Sequence, residues 1–224
     1  MKRPQATAIT SGKGGVGKTN LSVNLALALH KAGQRVGIFD ADLALANAHL
    51  VLGCRPNRTI VDALSGQCTM AETVVESPLG VKMIAGGSGL AEVMGLSVEK
   101  RQEIIRNFSE LSGTIDHLIV DTAAGVEANV IDFVAACDRV IVVVVGEPTA
   151  FVDAYASIKV LHQDTGRDRF DVIINRAAND AVGAQIFSRF RAITDRQFPD
   201  LNIAEHWRRV VNLHLAPLAR YFLG

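Results

Sequence analysis

The run Gly12-Lys13-Gly14-Gly15-Val16-Gly17-Lys18-Thr19 gathers four glycines, two lysines and a hydroxyl into a short segment. Glycines let a backbone turn tightly and aim successive N–H groups at phosphate oxygens, and a helix beginning at the end of the run adds the positive end of its dipole. In the spacing G-x-x-x-x-G-K-[ST], Lys18 is placed to neutralise β- and γ-phosphates and the Thr19 hydroxyl to ligate Mg²⁺. The flanks fit: an apolar strand candidate, Ala6 to Thr10, precedes the run and a helix candidate opens near Thr19. These residues imply nucleoside triphosphate binding.

Carboxylates recur where such a site needs them. Val36-Gly37-Ile38-Phe39 runs into Asp40-Ala41-Asp42. Aspartates two apart at a strand end point the same way, toward one metal and water site; a polar loop capping the next helix is the alternative reading of Asp42. Leu118-Ile119-Val120 ends in Asp121-Thr122-Ala123-Ala124-Gly125. A hydrophobic strand ending in aspartate is the Walker B pattern, with Asp121 holding Mg²⁺ through water. Gly125 supplies a hinge whose N–H can sense a γ-phosphate. Ile173-Ile174-Asn175-Arg176 ends a late strand, and the Asn175 amide can pair with adenine N6 and N7. Guanine readers carry a carboxylate three residues after that asparagine, where this chain has Ala178, so ATP is favoured over GTP. Asn175 as a cap of the following segment is the other reading. Glu147-Pro148-Thr149 is a second candidate contact to ribose or base.

The elements that must position these residues alternate in type. Apolar stretches at Arg35–Phe39, Val81–Ile84, His117–Val120, Arg139–Val145 and Phe170–Ile174 read as strands. Helical patterns fall after the glycine run, at Val98–Leu111, at Asp153–His162 and at Ala181–Phe198. Continuous apolar strands alternating with helices predict a doubly wound, mostly parallel α/β sheet in three α/β/α layers, with ligands beyond the strands' carboxyl ends. The 224 residues suit a single P-loop domain over 1–224. Its 23 basic and 23 acidic residues balance, so no global field draws it to nucleic acid or anionic membrane. Cys54, Cys68 and Cys137 form no C-x-x-C pair and read as reduced thiols of a cytoplasmic protein. The start lacks the apolar core of a signal peptide, and no run is long enough to span a bilayer.

Lys13 narrows the reading. A lysine near the start of the loop gives K-G-G-x-G-K-[ST], and here the chain resembles the MinD/ParA class of deviant Walker A ATPases. The resemblance implies an ATP-dependent homodimer in which Lys13 reaches the partner's phosphates, much as an arginine finger does. It also implies that Asp40 belongs to the Mg²⁺ shell and that Asp42 orients the attacking water, with Gly12, Gly14, Gly15, Val16, Gly17, Lys18, Thr19, Asn20, Gly125, Asn175 and Arg176 around the nucleotide. Asn47 aligns with a polar residue of the same switch. Within the class, the chain is most similar to the FleN/FlhG group of MinD-like flagellar regulators. The likeness is carried by Ser11 to Asn20, Asp40 to Leu43 with Ala46-Asn47, Asp121 to Gly125, and Glu147-Pro148-Thr149 with Asp153-Ala154-Tyr155. It spans roughly residues 5 to 198. It implies a slow cytoplasmic ATPase that visits the inner face of the membrane and acts on regulatory partners, a flagellar GTPase or a transcription activator.

Residues 199–224 depart from that pattern. Trp207, Val210, Val211, His214 and Leu218 fall on one helical face, which suits either a membrane interface or packing on the chain's own core. Rival readings come from other classes. A segregation ATPase would bind DNA through Arg167, Arg169, Arg176, Arg189, Arg191 and Arg196, though Asp164, Asp168, Asp171, Asp180 and Asp195 lie among them. An iron–sulfur carrier would need cysteines that Cys137 alone does not supply, and an amide-forming ligase would need a further substrate site.

Overall fold

The computed structural model describes residues 3–42, 46–87, 97–197 and 202–205. Its strands are β1 (Gln5–Ser11), β2 (Val36–Ala41), β3 (Val74–Glu76), β4 (Lys82–Ala85), β5 (His117–Ala124), β6 (Arg139–Val145), β7 (Arg169–Asn175) and β8 (Asn202–Glu205). They form one eight-stranded sheet in the order β3-β4-β2-β5-β1-β6-β7-β8. All neighbours are parallel except β3, which runs antiparallel beside β4. The helices are α1 (Lys18–Lys31), α2 (Ala48–Leu52), α3 (Ile60–Leu64), α4 (Val98–Asn107), α5 (Ala128–Ala135), α6 (Pro148–Thr165) and α7 (Asp180–Gln197).

Strand β6 shows why the sheet has two covered faces. Val140, Val142 and Val144 pack into one core with Ile104, Phe133, Ile158 and Phe187, which come from α4, α5, α6 and α7. Ile141, Val143 and Val145 belong to the opposite core with Leu21, Leu25 and Leu29 of α1. A strand buried on both sides must be apolar at every position, and this is the run that reads as continuous β-branched sequence. The expected doubly wound, three-layer α/β fold is the one observed.

The chain leaves β1 through α1 to reach β2 on one side, and leaves β5 through α5 to reach β6 on the other. That reversal opens a crevice at the carboxyl ends of β1 and β5, where ligands bind in such sheets. Register brings the chemistry to one level. Asp40 of β2 lies opposite Asp121 of β5, and Ser11 of β1 opposite Ala124.

Several elements differ from expectation. The α-helix expected to reach Leu111 ends at Asn107 and continues as a 3₁₀ helix over Phe108–Gly113, the tighter winding common at helix ends. Helix α6 starts at Pro148 rather than near Asp153, because proline suits the first helical turn. Elements β3, α2, α3, α5 and β8 were not anticipated; most are too short for their hydrophobic period to register. The amphipathic stretch at 206–224 lies outside the described residues.

Candidate functional site

The glycine run forms the turn between β1 and α1, and close packing explains its composition. A Cβ on Gly12 would lie 2.2 Å from the backbone C and O of Asp153 in α6, so only glycine fits. Gly17 has φ 97° and N-caps α1, and a Cβ there would meet the Asn175 amide nitrogen at 2.5 Å. Gly14 and Gly15 are exposed, with open space where their Cβ atoms would stand. Val16 is buried beneath the turn, and Asn20 is exposed on the first turn of α1. Lys18 is buried, and its Nζ donates to Ser11 Oγ at 3.1 Å while that hydroxyl donates to the Lys13 carbonyl at 2.7 Å. Burial lowers the Lys18 pKa, opposed by the negative charges of Asp121 and Asp42.

Two carboxylates are buried here, Asp121 near Lys18 and Asp40 opposite Asp121 on the neighbouring strand. Asp121 is 1% exposed; Ser22 Oγ donates to its Oδ1 at 2.9 Å, and the Thr19 hydroxyl also bonds to it. Its Oδ2 is buried with no hydrogen-bond partner. Burial pushes this carboxyl up to about 6, against the pull of Thr19, Ser22 and Lys18. Asp40 is fully buried, and burial drives its carboxyl up to about 7 although it accepts the Ala48 N–H at 2.9 Å and the Asp42 N–H at 3.3 Å. Asp40 thereby fixes the first turn of α2. Asp42 is half-buried at the end of β2, and Asn47 caps α2 with its backbone.

A buried, unpartnered carboxylate oxygen beside a threonine hydroxyl and a lysine fits a hard divalent cation that takes its remaining ligands from phosphate and water. Among the described residues no group of three or more His, Cys, Asp or Glu could hold a metal alone. That also suits Mg²⁺, which is commonly held by one or two protein groups together with substrate phosphates.

Other expected site residues sit close by with different partners. Lys13 Nζ donates to Glu147 Oε2 at 2.6 Å and to Thr149 Oγ1 at 3.3 Å, so the N-cap and first turn of α6 hold this lysine. The Glu147 carboxyl lies below its ordinary range because it bonds to Lys13 and feels Arg176. The Gly125 N–H donates to the Ser11 carbonyl at 2.9 Å, and the residue has φ 97°. Asn175 Nδ2 donates to the Val16 carbonyl at 2.7 Å, and its Oδ1 accepts the Arg176 N–H at 2.9 Å. Arg176 Nη2 donates to the Gly15 carbonyl at 2.6 Å. The amide expected at adenine is thus engaged with the glycine loop. Ser11 and Ser22 were given no role from the sequence, because a lone serine carries no signal until the fold sets it against Lys18 or Asp121.

Two of the arginines named for the rival DNA-binding reading stand at opposite ends of one strand. Arg169 opens β7 and Arg176 follows its last residue, on the order of 20 Å apart at strand rise. Arg167 donates to carbonyls of Cys137 and Asp138 at the amino rim. Cys137 is also at that rim, its thiol donating to the Phe133 carbonyl at 3.1 Å and pushed up to about 12 by burial.

A family profile described as ParA, NUBPL iron-transfer P-loop NTPase matches residues 3–175. The chain belongs to the ParA family of P-loop NTPases. It is 45% identical over 192 residues to the antiactivator FleN of Pseudomonas aeruginosa, covering 86% of this chain and 69% of the relative. It is 35% identical over 196 residues to the flagellum site-determining protein YlxH of Helicobacter pylori, covering 88% and 66%. The chain therefore spans about two thirds of the length of these relatives. Among solved structures it is similar to the septum site-determining protein MinD of Pyrococcus horikoshii complexed with Mg-ADP, with TM-score 0.68 and 26% identity over 82% of this chain and 77% of that one. Membership of the MinD-like branch, expected from Lys13 and the Asp-Thr-Ala-Ala-Gly segment, agrees with these findings. Among the described residues no helix is long and apolar enough to cross a membrane.

Proposed function

We propose that this chain is a MinD-like ATPase switch that binds ATP with Mg²⁺, forms an ATP-dependent dimer, and regulates the number or placement of flagella through protein partners. The observation that carries the chemistry is the buried, unpartnered Oδ2 of Asp121 beside Thr19 and Lys18, next to a loop with open space where Cβ atoms of Gly14 and Gly15 would stand. Thr19 and Asp121 would hold the metal, whose chemistry there is to neutralise β- and γ-phosphate oxygens. Asp40 supports the same shell and ties it to α2 through Ala48. Lys18 balances phosphate charge, and the phosphates in turn favour its charged form against the lowering by burial. Asp42 orients a water in line with the γ-phosphate; positioning is most of the chemistry in phosphoryl transfer. Lys13 leaves Glu147 and Thr149 to reach the partner copy's phosphates, and Gly125 leaves Ser11 as the γ-phosphate arrives.

The flagellar assignment is supported by the likeness to FleN and YlxH, the one an antiactivator and the other a site-determining protein. The setting is cytoplasmic. The test uses Asp42→Ala with ATP and Mg²⁺, followed by light scattering and phosphate release. The expected result is a stable dimer with ATP hydrolysis reduced by about 10²-fold. Hydrolysis at the wild-type rate would remove Asp42 from the mechanism. A chain that stays monomeric with ATP bound would remove the dimer switch.

A further inference from the structure

We infer that Ser22 is a positioning residue for the metal: its hydroxyl donates to one oxygen of Asp121 and so keeps the other, Oδ2, for a divalent cation. The inference rests on the reading of Thr19 and Asp121 as the cation site.

An aspartate at a strand end does not by itself select which oxygen it offers. Its terminal torsion is broad and roughly two-fold, so neighbouring donors must set the carboxyl plane. At Asp121, which is 1% exposed, those donors come from one helix. Thr19 and Ser22 stand three residues apart on α1, a spacing that puts them on one helical face, and both hydroxyls bond to this carboxylate. Thr19 is itself expected on the cation, so its oxygen is shared between metal and carboxylate. Ser22 has no such second task. It is fully buried, and its Oγ donates to Asp121 Oδ1 at 2.9 Å, while Oδ2 is left buried with no hydrogen-bond partner.

The helix offers Ser22 a competing bond, and charge decides the competition. A hydroxyl has one hydrogen, and Ser22 Oγ lies within reach of two acceptors, Asp121 Oδ1 at 2.9 Å and the Lys18 carbonyl at 3.1 Å. The carbonyl four residues back already accepts a backbone N–H in a regular α-helix. A bond to an ionised carboxylate is roughly twice as strong as one between neutral groups, so the ionised Asp121 that a cation requires draws the hydrogen. The hydroxyl is thereby spared the ordinary fate of a serine within a helix, which is to bond back to its own backbone. Groups that orient a metal's ligands commonly change metal affinity by about 10–100-fold when removed.

The test separates the metal from the nucleotide. The affinity of the full chain for ATP is measured by calorimetry with Mg²⁺ and again in a chelator, and the ratio of the two is the gain that the metal supplies. Ser22→Ala is expected to reduce that gain about tenfold and to leave the affinity in chelator unchanged. Alanine is the better helix former, so the far-ultraviolet spectrum is expected to match that of the wild type. The same substitution made in Asp121→Asn is expected to cost no further gain, because the effect runs through that carboxylate. An undiminished gain in Ser22→Ala would overturn the inference. An equal loss with Mg²⁺ and in chelator would overturn it too, by marking a general disturbance of the loop. So would a further tenfold loss in the Asp121→Asn background, which would place the effect elsewhere. A wild-type chain whose ATP affinity does not respond to Mg²⁺ overturns the cation-site reading itself, and this inference with it.

Discussion

At the carboxyl rim of the sheet Asp40 and Asp121 are buried and pushed up to about 7 and about 6, whereas at the amino rim Asp116 is partly exposed and held at about 2 by the Arg35 guanidinium. The two rims use the same residue types under opposite physics. Arg35 grips Asp116 with two bonds, at 3.0 Å and 2.6 Å, and adds a third to the Gly113 carbonyl at 2.7 Å. Arg3 pairs with Asp138 through a single bond, and Asp138 also accepts the Ala6 N–H at 2.9 Å. Arg35 and Arg3 thus each meet a carboxylate within the chain. At the carboxyl rim a buried ammonium, two buried carboxylates, an unpartnered oxygen and the left-handed Arg176 are crowded around the glycine loop. Such an arrangement costs stability until a polyanion and a cation arrive to complete it. The contrast is between partly exposed pairs that the chain completes by itself and buried charge gathered around the glycine loop.

The most severe way to break the comparison is Lys18→Ala. It removes the cation of the loop and is expected to weaken ATP binding by more than about 10²-fold in calorimetry, with the far-ultraviolet spectrum unchanged. Asp121→Asn comes next. Removing a buried negative charge is expected to raise stability without nucleotide by about 1–3 kcal/mol in urea melts while abolishing Mg²⁺-dependent hydrolysis. A destabilised Asp121→Asn would show that this rim is not under electrostatic load. Glu147→Gln acts at the margin of the site. The Lys13–Glu147 pair is partly exposed, so releasing Lys13 is expected to lower the ATP concentration needed for dimerisation only about two- to fivefold. An unchanged dimerisation midpoint would exclude a restraining role for Glu147.

Asp116→Asn gives the smallest effect and tests the opposite rim. The Asp116 carboxyl is depressed from 3.8 to about 2, so its contribution to stability is present above about pH 4 and lost as pH falls from there toward 2. Because the pair is partly exposed, that contribution is under about 1 kcal/mol. The variant should flatten the acid limb of the stability curve between those values and leave ATP binding untouched. A change in nucleotide affinity would mean that the two rims are coupled.

How far the site was legible depended on how locally its residues act. Gly12 to Thr19 was readable because a phosphate loop draws its donors from consecutive backbone, so spacing alone describes it. Asp121 was readable because it directly follows an apolar strand. Asn175 and Arg176 were readable as candidates, but their partners within the chain were not, because the bond to the Val16 carbonyl depends on how close β7 lies to the loop. The bonds of Glu147 and Thr149 to Lys13, which lies more than a hundred residues earlier in the chain, were not legible. Arg169 and Arg176, near in sequence, are separated by the length of β7.

The sequence by itself determined the layered parallel sheet and the loop's chemistry, because hydrophobic period and residue spacing are properties of consecutive residues. Only the tertiary structure decided which charges are buried, which carboxylate oxygen lacks a partner, and which donors hold the loop. Those outcomes depend on strand order and on the low dielectric that the packed sheet creates around Asp40, Lys18 and Asp121.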